Sequence, residues 1–388
     1  MKLRSAVFAG HSGGHLFPAA AFADSLRERF PENWIGLVTS RKAEPLISKL
    51  PAGLFDRVDY FPEFPFSFKF SLRSLGFFLR FLQAFALSFS YFKKNKVTLC
   101  AGFGSYVSCP GVLTAKFLRI PTLIHEQNLI PGMATKMLVR HADAVAVSFE
   151  DTFRDLDLKR RIVTGLPLRG ELIKAAKLLS SPNVFVGDPR LKACGEDMFE
   201  SENPFHILIV GGSQGAHRLN ELVLESFSLL LPEEKQKIAV THLTGKEDFS
   251  WVEKSYSGLG IRNEVFAFCE TMEQLYPKAD MAITRAGANT LFELALFQLP
   301  SLVVPYPHAG AHQRANAAYF AARGAVILQD ENTLTAEGLL GEIRKLKNNP
   351  QELRTLSSAM AKISHSDAGS ALAETAAGLT EGRGHGCH

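Results

Sequence analysis

A chain of 388 residues, 46% hydrophobic and 21% charged, can bury two cores and is not a disordered polymer. The net charge of +4 is modest, and no nucleic-acid partner is expected. Five scattered cysteines (Cys100, Cys109, Cys194, Cys269 and Cys387) form no C-x-x-C pair, which argues against a disulfide scaffold or a structural zinc.

Met1-Lys-Leu-Arg-Ser runs directly into the first predicted strand, Ser5–Ala9, with no room for a cleavable leader. The expected location is therefore the cytosol or the cytosolic side of a membrane. The strand ends in Gly10-His-Ser-Gly-Gly-His15, which opens straight into a helix. Such a loop lets the backbone approach a ligand, and the helix N-terminus offers free N–H groups to an anion. It is neither a G-x-G-x-x-G fingerprint nor a Walker loop. Further strands are predicted at Trp34–Val38, Val97–Cys100, Thr122–His125, Ala144–Ser148 and Arg161–Thr164, alternating with helices.

Between Glu63 and Glu126 the chain has no acidic residue, yet carries Lys69, Arg73, Arg80, Lys93, Lys94, Lys96, Lys116 and Arg119. The phenylalanine-rich, basic stretch 64–96 suits an anionic membrane surface, the alternative being a buried core helix with a solvated basic rim, and its longest uncharged run is too short to span a bilayer. Two polar clusters follow strand ends, where open α/β sheets bind ligands. They are Gly102-Phe-Gly-Ser-Tyr106-Val-Ser-Cys-Pro-Gly111 and His125-Glu126-Gln127-Asn128, the latter reading either as a site or as a cap and turn in which Asn128 starts the helix after Pro131.

After a Ser-, Pro- and Gly-rich excursion (Ser180 to Pro204) the pattern restarts with His206–Val210 and a second glycine loop, Gly211-Gly-Ser-Gln-Gly-Ala216. Strands are predicted at Ile238–Leu243, Val265–Phe268, Asp280–Thr284, Ser301–Pro305 and Ala325–Gln329. Thr284-Arg-Ala-Gly-Ala-Asn-Thr-Leu-Phe-Glu293 reads as a strand end, a small-residue loop and a helix start, with Glu293 in the first turn. A carboxylate there either complements the helix dipole or accepts ribose hydroxyls. Pro305-Tyr-Pro-His-Ala-Gly-Ala-His312-Gln313-Arg-Ala-Asn316 follows the next strand. The fold class expected is α/β, two Rossmann-like doubly wound domains. The domains are 1–170, completed by a returning helix at about 352–377, and 205–351, joined by 171–204 and followed by a flexible tail, 378–388. Two anion cradles suggest the joining of two phosphate-bearing substrates. No Asp-x-Asp pair suits a metal on a diphosphate, so helix dipoles and backbone N–H groups are the expected neutralising groups, with no cofactor or metal.

Six strings in this order resemble the MurG family of bacterial N-acetylglucosamine transferases. They are Gly-x-x-Gly-Gly-His with Pro18, Gly-Ser-Tyr-Val-Ser-x-Pro-Gly, His-Glu-Gln-Asn, Gly-Gly-Ser-Gln-Gly-Ala, Arg-x-Gly-Ala-x-Thr-x-x-Glu, and the His/Gln/Asn run around Gln313. The resemblance covers Ser5 to about Ala377. It implies a GT-B fold, two Rossmann-like domains facing across a cleft. It further implies metal-independent, inverting transfer of N-acetylglucosamine from UDP-GlcNAc to the C4 hydroxyl of the muramyl sugar of lipid I, forming lipid II on the cytoplasmic face of the inner membrane. Cell-wall synthesis and division proteins would be partners.

By motif, the resemblance implies that Glu293 holds the ribose, that Phe268 and the backbone of Cys269 contact uracil, and that Ser213 meets the diphosphate. Ala288, Asn289 and Thr290 would line the loop beneath, and Gln313, with His312 beside it, would face the sugar. Ser12, Gly13, Gly14, Asn128 and Arg169 would complete the donor site. Gly14, His15, Tyr106, His125 and Gln127 would face the acceptor, with His15 as the general base and Glu126 as the alternative base. The chain departs from the family pattern at His11-Ser12 (for Gly-Thr), at Gly165-Leu-Pro-Leu-Arg169 (for Gly-Asn-Pro-Val-Arg) and at His312 (for Gln); the Ser180–Pro204 excursion is also longer than typical. The alternative readings are another GT-B glycolipid glycosyltransferase and a non-catalytic UDP-sugar-binding scaffold. A nicotinamide oxidoreductase is disfavoured by the missing G-x-G-x-x-G and ribose acid.

Overall fold

The computed structural model describes residues 3–62, 72–158, 160–179, 204–212, 216–307 and 311–381. It divides into two units: Met1–Gly170 with His365–His388, and Glu171–Ser364. Ser213, most of the Ser180–Pro204 excursion, Phe64 to Phe70 and the tail from 382 lie outside the described residues.

The first unit contains β1 (Arg4–Ala9), α1 (Gly13–Arg29), β2 (Trp34–Thr39), α2 (Glu44–Ile47), β3 (Arg57–Tyr60), α3 (Leu72–Asn95), β4 (Leu99–Phe103), α4 (Ser108–Phe117), β5 (Thr122–Glu126), α5 (Met133–Leu138), β6 (Ala144–Val147) and β7 (Arg161–Val163). Its seven strands are parallel in the order β3-β2-β1-β4-β5-β6-β7. The central strands β4 and β5 are buried along their whole length, as parallel strands covered on both faces must be. β3 was not among the predicted strands. It is a short, partly exposed edge strand whose charged Arg57 and Asp59 hide its pattern.

Helix α6 (Gly170–Leu179) leads into the second unit. There follow β8 (Phe205–Val210), α7 (His217–Ser228), α8 (Pro232–Lys235), β9 (Ile238–Leu243), α9 (Phe249–Leu259), β10 (Arg262–Phe266), β11 (Met281–Thr284), α10 (Ala288–Leu296), β12 (Ser301–Val303), α11 (His312–Ala321), β13 (Val326–Leu328), α12 (Ala336–Lys347) and α13 (Pro350–Ile363). Six parallel strands run β10-β9-β8-β11-β12-β13. The polar start of β10, Arg262-Asn263-Glu264, is exposed, which is why the predicted strand began late.

The single returning helix expected at 352–377 is corrected to two. α13 belongs to the second unit, and α14 (Ala368–Glu381) returns to the first. There Leu372, Ala373 and Ala376 join Leu16, Ala19 and Phe22 of α1 in one buried cluster. The small side chains let α14 lie close against α1.

Candidate active site

In each unit the strand order reverses direction at one place, β1/β4 in the first and β8/β11 in the second. Ligands of open α/β sheets bind beyond the carboxyl ends of strands at such a switch point. The first glycine loop follows β1, and Gly211 and Gly212 follow β8.

In the first unit Ser12 stands at the N-cap of α1, and its carbonyl accepts from the backbone N–H groups of His15 and Leu16, both at 3.0 Å. Its hydroxyl does not cap the helix; it lies 2.8 Å from His15 Nδ1. The imidazole is half-buried between two loops. A Cβ on Gly10 would lie 3.0 Å from His15 Nδ1, and one on Gly104 would lie 2.7 Å from His15 Cδ2 and 2.9 Å from Nε2. Gly104 also has φ +73°, and Ser105 beside it φ +62°, so the β4–α4 loop curls over the ring through two left-handed residues. The first glycine loop and the Gly102–Gly111 cluster are thus brought together on His15. Tyr106 is half-buried in the same loop, and burial raises its phenol above the ordinary range, so it remains a hydrogen-bond donor at neutral pH.

The His125–Asn128 cluster behaves differently from expectation. His125 is 1% exposed, with its ring centroid 5.5 Å from that of Phe103 and Nε2 at 3.3 Å from the Gly165 carbonyl. Burial pulls its pKa down to about 4, so it is neutral. Gln127, 2% exposed, donates to the Phe103 carbonyl at 3.4 Å. Both side chains expected at the acceptor are therefore buried and bonded to backbone carbonyls of the first unit. Glu126 is 2% exposed; Oε1 accepts from Asn128 N–H at 3.0 Å and Oε2 from Gly132 N–H at 3.1 Å. A carboxylate clasped by two backbone donors organises the loop that follows β5. The Thr152 hydroxyl donates to the carbonyls of Asn128 (3.2 Å) and Leu129 (3.1 Å) and pins the same turn. Arg169 lies over Phe17 with 5.3 Å between guanidinium carbon and ring centroid.

In the second unit Gly287 N-caps α10 and has no side chain to cap it, so Ala288, Asn289 and Thr290 present the helix's first N–H groups. Gln313 was expected at the sugar. Its Oε1 accepts from the backbone N–H groups of Ala286 (3.2 Å) and Tyr306 (2.9 Å), locking the loops after β11 and β12 together. Asn316 donates to the Ala286 carbonyl at 3.4 Å. Arg285, 5% exposed, pairs with Glu331, donates to the Val304 carbonyl at 3.1 Å and lies against Tyr306. The motif reading assigns this buried cation no role, although it opens the Arg-x-Gly-Ala-x-Thr-x-x-Glu string. Phe268 and Cys269 are half-buried just beyond β10, and His312 begins α11 behind Ala311, which has φ +67°.

Glu293 is not in the first turn of α10, as expected, but in the second. It is 8% exposed and accepts the Tyr276 hydroxyl at 2.6 Å. A polar chain also braces α7. His217 Nδ1 (2.8 Å), Asn220 (2.7 Å) and Trp251 (3.0 Å) converge on Asp248. Asn220 Oδ1 lies 3.0 Å from His242 Nε2, and His242 Nδ1 lies 3.0 Å from the Tyr256 hydroxyl. Burial alone pushes the Asp248 carboxyl up, yet the three hydrogen bonds together hold it below its ordinary value.

Residues 6–147 match the glycosyltransferase family 28 N-terminal domain and residues 206–372 the glycosyltransferase family 28 C-terminal domain. A relative from Geobacter metallireducens is 32% identical over 374 residues, 96% of this chain and 97% of its own. One from Thermodesulfovibrio yellowstonii is 33% identical over 97% of this chain and 99% of its own. Both are named UDP-N-acetylglucosamine--N-acetylmuramyl-(pentapeptide) pyrophosphoryl-undecaprenol N-acetylglucosamine transferase. The crystal structure of Acinetobacter baumannii MurG superposes with TM-score 0.73 at 26% identity, covering 97% of this chain and all of that one (100%).

The chain belongs to the MurG family.

Its fold is GT-B, two Rossmann-like units. A UDP-GlcNAc 2-epimerase from Neisseria meningitidis shares the fold alone, with TM-score 0.67 at 14% identity over 97% of this chain and 99% of that one. The strings that carry the sequence resemblance fall at the carboxyl ends of β1, β4 and β5 in the first unit and of β8, β11 and β12 in the second.

Proposed function

We propose that this glycosyltransferase moves N-acetylglucosamine from UDP-GlcNAc to the C4 hydroxyl of the muramyl sugar of undecaprenyl-pyrophosphoryl-MurNAc-pentapeptide, with inversion, and so makes lipid II. The observation that carries the reading is the pairing of Ser12 with His15 beneath Gly104, in a chain 32% identical to the named relatives. His15 is the base. Of the two tautomers that the Ser12–His15 contact allows, the one whose Nδ1–H is donated to Ser12 Oγ carries its lone pair on Nε2 and is the one that would take a proton from a sugar hydroxyl.

Gly14 and Tyr106 bind the acceptor. The uncapped N-terminus of α10 with Ala288, Asn289 and Thr290, together with Ser213, takes the donor diphosphate without a metal; Glu293 takes the ribose, and Phe268 and Cys269 the uracil. Ser12, Gly13, Asn128 and Arg169 complete the donor site. Gln313 holds the loop that meets the sugar, beside His312.

No helix among the described residues is long and apolar enough to cross a membrane. α3 nevertheless has two faces. Ala84, Ser88, Tyr91 and Phe92 are buried, while Leu79 (58% exposed), Leu82 (47%) and Leu87 (40%) face outward, near the exposed Lys93 and Lys94. Phe117 on α4, which packs edge-on against Phe85, is 70% exposed. Of the phenylalanines read as a membrane segment, Phe92 instead meets Phe8 in the core at 5.9 Å. The outward leucines and lysines dock on an anionic bilayer, the cytoplasmic face of the inner membrane, where cell-wall synthesis and division proteins are the proposed neighbours.

The test is UDP release from UDP-GlcNAc with a lipid I analogue, with and without acceptor and with EDTA. Acceptor-dependent release that survives EDTA supports the reading. Tight UDP binding with no turnover on this acceptor refutes it in favour of a scaffold or another glycolipid acceptor.

A further inference from the structure

α10 is otherwise apolar where it is buried: Leu291, Phe292, Leu294, Ala295 and Leu296 surround Glu293. A carboxylate in that setting costs stability unless it is hydrogen-bonded, and a leucine would pack there without penalty. It also lies beyond the first turn, where the helix dipole favours an acid. One of its partners is Tyr276, 2% exposed, in the short turn between β10 and β11, whose hydroxyl donates to Glu293 Oε2 at 2.6 Å. The tyrosine ring stacks on Phe297, with centroids 5.0 Å apart and planes at 29°. Phe297 follows Glu293 by one helical turn. One face of α10 therefore supplies both the ring that fixes Tyr276 and the carboxylate that Tyr276 fixes.

We infer that Tyr276 is a positioning residue for the donor nucleotide. Its hydroxyl sets the Glu293 carboxylate in the orientation that accepts the vicinal hydroxyls of a ribose. The phenol engages Oε2 of that carboxylate. Without that bond the carboxylate gains rotamers, and each ribose hydroxyl meets a less defined acceptor. The inference rests on the proposed assignment of Glu293 to the ribose.

The test is calorimetric titration of the full chain with UDP and with 2′,3′-dideoxy-UDP, for the wild type, Tyr276→Phe, Glu293→Gln and the double variant. The expected result is that Tyr276→Phe binds UDP about tenfold more weakly and dideoxy-UDP unchanged, the loss of one charge-assisted hydrogen bond's worth of order. It should raise the donor KM and leave kcat at saturating donor intact. The double variant should bind UDP no more weakly than Glu293→Gln, because Tyr276 acts only through Glu293. The double variant buries no bare carboxylate, so this comparison stands even where Tyr276→Phe fails to fold. Equal losses for both ligands, or a full additional loss in the double variant, would overturn the inference. If Glu293→Gln keeps the wild-type preference for UDP over dideoxy-UDP, the ribose assignment itself falls. If Glu293→Gln loses that preference while Tyr276→Phe keeps it, only the role of Tyr276 falls.

Discussion

Ser12 Oγ lies 2.8 Å from His15 Nδ1, three residues on, at the point where β1 gives way to α1. The hydroxyl that would ordinarily cap this helix is spent on orienting an imidazole. With His15 as the proposed base, that pairing specifies what each partner should do when changed.

His15→Ala should lower kcat by roughly 10²–10⁴-fold with little change in acceptor KM, as expected for the loss of a general base. Ser12→Ala should cost about tenfold in kcat, because the ring remains but its tautomer is no longer held, and Ser12→Thr should restore it. Steady-state kinetics with varied acceptor separates the two effects. A His15→Ala enzyme with normal kcat and a raised acceptor KM would make His15 a binding group instead.

Gly104→Ala should disable the enzyme out of proportion to its size. The added methyl would lie 2.7 Å from the His15 ring, at a backbone φ of +73° that alanine disfavours. Gly53→Ala is the control: its φ is +78°, but nothing lies within 4 Å of the new methyl, so backbone strain is its whole effect. Both variants should lose about 1 kcal/mol or more of stability to that strain. Only Gly104→Ala should lose turnover, measured on the folded fraction. Similar turnover in the two variants would show that the slot around His15 is unimportant.

Stability should fall as the pH drops from about 6.5 towards 4. Burial holds His125 at about 4 and His242 at about 3, against an unfolded value of 6.5. In that window the unfolded chain binds protons that the folded chain refuses, so acid favours unfolding, and the stabilisation is complete only above about 6.5. Urea melts between pH 7 and 5 should show this slope. His125→Gln should flatten it for the first unit and His242→Gln for the second. An unchanged slope in either variant would assign the acid sensitivity to other groups.

Replacing Leu79, Leu82 and Leu87 together by serine should abolish co-sedimentation with anionic vesicles and leave UDP binding intact. These side chains are exposed and outside both glycine loops. Raising the salt should weaken binding of the wild type through screening of Lys93 and Lys94. Retained vesicle binding in the triple variant would place the membrane contact elsewhere.

The alternation of apolar runs with helices, the two glycine loops and the order of the motifs were all legible along the chain, because parallel strands buried on both faces read as short apolar runs and anion-binding turns require glycine. Family membership followed from the same local strings. Tertiary structure decided what those strings do. His125, Glu126 and Gln127 looked like one polar cluster, yet β5 and the loop after it bury all three, and Glu126 clasps a turn that no spacing rule foretells. Tyr276 and Glu293 are 17 positions apart with a strand between them, and only the packing of α10 makes them neighbours. Arg285 and Glu331 are likewise joined only in space. Local sequence determines turns and periods because their energetics are local. The partners of a buried polar group are set by which elements the sheets bring side by side, and in a parallel fold those come from distant parts of the chain.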